Sequence, residues 1–357
     1  MLRRMRLRSI PRFVVCAILW LGCRPTLHAA TPAQGAELIF AAYALPDAKP
    51  PISLDYIAYD RARGRVWVPV GDTGSVEVFD IATRRFTSVR GFAKAVREKH
   101  GKQRVHGPSA VTLGDGYAYV GDRASSEVCA VQLDTLERAA CTALASPTDA
   151  VAYVTDTREV WVTTPSARSI TILDASNPAK LAAKSSIAID GEPEGYAVDA
   201  AHGRFYTNLE DKNRSLSFDL HTHALKSNWP SGCDDDGPRG VALDAARGLV
   251  FVACTNGLRV LDAAHDGKLL GQLDQEAGVD NIDYDSTTHL LYLAGGKSRH
   301  LSVVRIGDNG APTIVASGTT PKGARNAVAD DQGNVYVAVS TTAQLLVFAS
   351  ASSTATP

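Results

Sequence analysis

The 357-residue chain repeats itself. Short apolar runs built around an aromatic residue recur along it: Arg65-Val66-Trp67-Val68, Tyr117-Ala118-Tyr119-Val120, Glu159-Val160-Trp161-Val162, Arg204-Phe205-Tyr206-Thr207, Leu249-Val250-Phe251-Val252, Leu290-Leu291-Tyr292-Leu293 and Asn334-Val335-Tyr336-Val337. The aromatic positions are separated by 52, 42, 45, 45, 41 and 44 residues. A period of this kind means that one supersecondary unit is copied, and that each copy buries its apolar face against the next. No other feature restricts the fold as much.

Each copy keeps one internal order. A first strand, such as Tyr196-Ala197-Val198-Asp199 or Val241-Ala242-Leu243-Asp244, precedes the aromatic one. A third strand ends in Asp: Val76–Asp80, Ile170–Asp174, Leu216–Asp219 and Leu258–Asp262. A more polar fourth, such as Phe86-Thr87-Ser88-Val89, closes the unit. Period-two alternation between turn residues is the strand signal. The repeated Asp reads as a turn device that accepts a backbone hydrogen bond. Four strands at about 44 residues per copy, seven times over, predict an all-β, seven-bladed β-propeller of antiparallel blades. The seventh copy lacks its fourth strand, and a spare strand-like stretch, Glu37–Tyr43, precedes the first. Joining the two would close the ring and remove two sheet edges. Residues 31–350 are therefore read as one closed propeller, followed by a disordered tail over 351–357.

Two details make a family resemblance visible. Tyr153-Val154-Thr155 with Ser169-Ile170-Thr171-Ile172-Leu173-Asp174, and Val335-Tyr336-Val337-Ala338, resemble the YVTN-type β-propeller repeat of exported bacterial proteins. The resemblance covers about 300 residues and implies the fold. It implies no activity, because a fold does not fix function.

The first thirty residues read as a secretory signal peptide. Five Arg fall within residues 1–12, an uncharged stretch runs from Phe13 to Cys23, and Ala29-Ala30 offers a small-residue exit. The apolar part is too short to span a bilayer readily, which favours the signal peptide over its rival, a retained anchor. Leu21-Gly22-Cys23 resembles the end of a lipobox, with Trp20 where that pattern wants Leu, so lipid anchoring through Cys23 is a second rival. The leader holds six Arg and no acid, so its loss leaves 31 basic against 38 acidic residues, a net charge of −7. That disfavours a nucleic-acid partner. The expected location is periplasmic or secreted, with no membrane span after processing, and the expected state is monomeric. Cys129, Cys141, Cys233 and Cys254 remain after processing. An oxidising compartment would pair them, and their positions favour 129–141 and 233–254 over the other connectivities. Four free buried thiols are the alternative.

Chemistry is confined to one column. A Pro-x-Gly-like corner precedes each innermost strand, full in Pro193-Glu194-Gly195 and Pro238-Arg239-Gly240 and degenerate elsewhere. Its middle residues are Asp55, Ser109, Asp149, Glu194, Arg239, Asp280 and Arg325. Six of the seven are ionisable, against 21% charged residues overall, and equivalent corners aim them at the channel mouth. Two readings stand. The ring is structural, its arginines neutralising its acids, or it binds an unidentified small polar ligand or a protein partner. No cofactor is predicted. Glu194, Asn208, Asp280 and Asn281 offer the residue types that hold a divalent cation such as Ca²⁺ in gluconolactonase-like propellers, so a metal-dependent hydrolase or lactonase is the alternative to a non-enzymatic binding or scaffold protein. No local motif of those enzymes supports assigning catalytic roles. The first interval is also about eight residues too long. The excess, 91–106, is basic and reads as one or two helical turns, either lidding the mouth or lying as a solvated loop. The loops 71–74, 208–213 and 255–257 are expected to crowd the same face.

Overall fold

The computed structural model describes residues 36–99, 101–234 and 237–350. The expected leader and tail lie outside them. Blade 1 is built from Ala58–Asp60, Arg65–Val70, Ser75–Asp80 and Arg85–Arg90, and blades 2 to 5 repeat the pattern over 108–143, 151–188, 193–230 and 238–273. Blade 6 spans 279–319. Blade 7 takes three strands from 324–348 and its fourth from Phe40–Ala44, which pairs antiparallel with Gln344–Phe348. The chain is thus a seven-bladed propeller whose ring is closed by a strand from before blade 1.

The apolar alternation explains the packing. Trp67, Tyr119, Trp161, Phe251, Tyr292 and Tyr336 are at most 1% exposed and Tyr206 is 6% exposed. They fill the wedges between blades: Tyr119 stacks on Tyr153 of blade 3 at 5.2 Å, Trp161 on Phe205 of blade 4 at 4.7 Å, and Phe251 meets Tyr284 of blade 6 at 4.7 Å. The aspartates that end the third strands cap their turns. Asp80 accepts from the Thr83 N–H, Asp174 from Ser176, Asp219 from Thr222 and Asp262 from Ala264.

Two expectations need correction. The stretch Glu37–Tyr43 is not one strand. Ala36 and Glu37 pair in parallel with Ala316 and Ser317 on the outer edge of blade 6, and only Phe40–Ala44 joins blade 7. Between them Leu38 is buried in the wedge that the two blades share, and its N–H donates to the Ser317 carbonyl at 2.8 Å. The segment therefore straps both blades. Nor is the insertion helical. Ala95–Lys99 and Lys102–His106 form a hairpin, with Val96 opposite Val105. Gly101 at φ +71° supplies the left-handed turn residue that such a two-residue connection needs. The x-Gly turn between two valines was the signal, and the helix-forming Lys and Glu obscured it.

Cys129 and Cys141 face each other across neighbouring strands of blade 2, with sulfurs 2.05 Å apart. Cys233, in the loop entering blade 5, meets Cys254 at 1.92 Å. The second bridge closes the longer loop, 21 residues against 12, and ties a segment that no strand ladder holds. Removing it as the Cys233→Ser, Cys254→Ser pair is expected to cost about 2–4 kcal/mol. Removing the first is expected to cost less, because the ladder already fixes that register. Urea titration of the two double variants checks the order, and equal losses would contradict it.

Candidate functional site

Adjacent innermost strands come closest where the Pro-x-Gly corners stand. Gly195 has φ +69°, and a Cβ there would lie 2.6 Å from the Arg239 carbonyl oxygen of the next blade. The same atom on Gly240 would lie 2.6 Å from the Asp280 carbonyl oxygen. At the equivalent position in blades 6 and 7, Asn281 and Asn326 bridge in parallel, and the Asn281 amide donates to Asn326 at 3.4 Å. In blade 1 this position is Tyr56, and the Asp55 and Tyr56 N–H groups both donate to the Ser109 carbonyl of blade 2 at 3.0 Å. The corner residues are therefore locked blade to blade.

The acids of the column converge on arginines, one of which does not belong to it. Arg123, from the loop between the second and third strands of blade 2, is ion-paired through one guanidinium nitrogen with Asp55 and through another with Asp149. Its Nε donates to the Thr148 carbonyl at 2.9 Å. Arg325 bridges Asp55 and Asp280, the latter at 2.8 Å. Arg239 does not pair with a corner acid. It pairs with Glu210, from the equivalent loop of blade 4. Sequence reasoning missed Arg123 and Glu210 as ring members. A signal for Arg123 existed in Gly71-Asp72-Thr73 against Gly121-Asp122-Arg123, where the copies align and Arg replaces Thr. Glu210 lies within a loop expected to crowd this face, but nothing in its spacing marks the blade 5 arginine as its partner.

Burial dominates the electrostatics. It pushes the Asp149 carboxyl up to about 6, against the opposing pull of Arg123. It holds Glu194 well above the ordinary carboxylate range, and Asp149, Asp280, Asp55 and Glu210 push in the same direction. After burial the Asp149 charge is the strongest of these, so Glu194 is pushed toward its protonated form. Asp280 is also raised by burial, with Arg325 opposing. The Tyr56 hydroxyl is raised by burial and then by Glu194, Asp149, Asp280 and Asp55 together, so the potential at its oxygen is negative. Ser109 is buried at 1% exposure.

The metal set of the sequence reading does not assemble. The Asn208 amide is fully buried and donates to the Arg239 carbonyl at 2.5 Å, while its oxygen accepts from Ser215 at 2.6 Å. It staples blade 4 to blade 5. Asp280 is held by Arg325. Guanidinium groups interleaved with the carboxylates repel a cation placed among them, so the donor set does not fit a resident divalent metal.

The insertion stands on this face. Ala93 donates to Asp122 at 2.8 Å, Arg97 to the Ala124 carbonyl at 3.1 Å, and Arg123 N–H to the Gly107 carbonyl at 3.0 Å. His106, at the foot of the hairpin, is close enough to Arg123 and Asp55 to feel both charges, and burial lowers its pKa. Behind the ring the channel opens into a cavity of 330 Å³ lined by Tyr56, Tyr196, Val198, Val241, Leu243 and Val328, among others.

No protein-family model matches the chain, and no curated protein matches it. Solved structures do. A chain of the mitotic checkpoint complex superposes with a TM-score of 0.70 at 12% identity, covering 94% of this chain and 98% of that one. Virginiamycin B lyase from Staphylococcus aureus gives 0.67 at 9% identity, over 88% and 99%. The WD40 repeats of RRP9 give 0.69 at 8% identity, over 88% and 99%. The chain is similar to these as a β-propeller, and at such identities the likeness is one of fold.

Proposed function

We propose that the chain is an exported, YVTN-type β-propeller that binds a small polar ligand at the ring end of its channel, without catalysing a reaction. One observation carries this. Buried polar atoms with no partner among the described residues gather there: the Tyr56 hydroxyl, Ser109 Oγ, Thr148 Oγ1, Asp149 Oδ2 and Asn326 Nδ2. Groups of this kind cost free energy unless something pairs with them. A purely structural ring accounts for the ion pairs of Arg123 and Arg325 but not for these atoms. Export is supported by the basic leader and by two cysteine pairs at disulfide distance. Among the described residues no helix is long and apolar enough to cross a membrane. In this reading the hairpin over 95–106, footed beside the ring, shields the mouth. The ill-fitting metal set argues against the hydrolase alternative.

Thermal melts of the processed chain against organic cations, small carboxylic acids, sugars and divalent metals test the reading. One class is expected to raise the melting temperature by several degrees. The shift is expected to vanish in Glu194→Gln or Thr148→Val. If no class produces a shift, or if both variants keep it in full, the mouth is structural only.

A further inference from the structure

The ring lacks a positive charge at one place. Asp55, Asp149, Asp280 and Glu210 each touch a guanidinium, but no cation stands at ion-pairing distance from Glu194 among the described residues. Three arginines thus serve four of five carboxyl groups. The hydroxyl of Tyr56 is a second, independent sign. Its side chain lines the cavity and is 8% exposed, yet its oxygen has no partner among the described residues.

The walls decide which cation. Below the carboxyl rim they are half apolar: the rings of Tyr56 and Tyr196 lie 5.9 Å apart, with Val198, Val241, Leu243 and Val328 beside them, and Asn281, Asn326 and the carboxyl of Asp283 complete the lining. Aromatic faces attract cations, and apolar walls favour a carbon body. A hydrated metal ion gains little from such walls and needs six or more oxygens, which this rim does not assemble.

We propose that the channel takes an organic ammonium ion, its head group against Glu194, Asp149 and the Tyr56 hydroxyl and its carbon body against the rings of Tyr56 and Tyr196. This rests on the reading of the mouth as a binding site and narrows it to one ligand class. Burial and the neighbouring carboxyls favour the protonated form of Glu194, and an ammonium beside it favours the carboxylate. A proton that Glu194 carries is then released to solvent as the side chain becomes the carboxylate partner. Asp55, Asp149, Asp280, Glu210, Arg123, Arg239 and Arg325 are the charged groups of the ring that face this exchange, and Asp283 faces it from the cavity wall.

Isothermal titration calorimetry of the processed chain with benzylammonium chloride tests it, with benzyl alcohol, sodium benzoate and calcium chloride as comparators. Benzylammonium is expected to bind at least tenfold more tightly than benzyl alcohol, and benzoate not at all. The binding heat is expected to change with the ionisation enthalpy of the buffer, which reports proton release. Glu194→Gln keeps the size of the side chain and breaks no ion pair among the described residues, so its melting temperature is expected to stay within about two degrees of the parent. Its affinity is expected to fall at least tenfold and its proton release to disappear. Tyr196→Ala is expected to weaken binding while keeping the release. Equal binding of benzyl alcohol, preference for benzoate, or calcium binding that benzylammonium does not displace would each overturn the proposal. Failure of benzylammonium to bind, while the thermal screen finds another ligand sensitive to Thr148→Val, would overturn this inference and leave the mouth as a binding site. Failure of every ligand would remove both.

Discussion

Replacing Arg123 by Met is expected to destabilise the chain by about 3–5 kcal/mol at pH 7, because it leaves two buried carboxylates without their shared cation. Asp55 and Asp149 are each 8% exposed, and the parent Arg123 side chain is 22% exposed. Arg325 already serves Asp55 and Asp280, so it offers no replacement for Asp149. The loss has a pH signature. The Asp149 carboxyl sits at about 6 in the folded chain, above its ordinary value of 3.8. A carboxyl raised on folding binds more protons folded than unfolded between those two values. Its contribution to stability therefore falls as pH rises through that window and levels off above it. Without Arg123 the carboxyl rises further, so the deficit of Arg123→Met is expected to shrink between pH 7 and pH 5. Urea denaturation at the two pH values measures both effects. A loss below about 1 kcal/mol at pH 7, or a deficit that grows on acidification, would mean that Arg123 is not the centre of the ring.

The closing strand is the second point of large leverage. A chain whose leader is joined directly to Pro46 is expected to lose cooperative folding. The deletion removes the buried Leu38 and Leu45, the half-buried Phe40 and Tyr43, and the ladder between Phe40–Ala44 and Gln344–Phe348. Four such side chains contribute about 5–10 kcal/mol, comparable with the whole stability of an ordinary domain. The deletion also bares the outer edge of blade 7 and opens it to pairing between molecules. Calorimetry reads the result as a lost or broad, non-cooperative transition, and size-exclusion chromatography reads it as aggregation. A sharp transition within a few degrees of the parent would show that the ring holds without its strap.

The same two features separate what is local in this protein from what is not. The aromatic column was legible because each of its members repeats at the blade period and is buried for a reason that every copy shares. The capping aspartates were legible for the same reason, since each bonds to backbone two or three residues away. The corner column was found as a set of positions, but its pairing was not. Arg239 was expected among the ring acids and turns to Glu210, while Arg123 enters from a loop that breaks no rule of composition. The partners of an ion pair 26 or 68 residues apart leave no mark on the local pattern. The hairpin over 95–106 was misread because its strand signal is two valines and one glycine among helix-forming charges.

By itself the sequence determined the number of blades, the strand order within each and the closure by the N-terminal segment, because hydrophobic periodicity and turn chemistry are properties of neighbours in the chain. Only the tertiary structure decided which acid meets which arginine, that Asn208 faces a neighbouring blade, and that Glu194 is left without a cation among the described residues. Those outcomes depend on how seven corners approach one axis, where distances are fixed by the packing of whole blades.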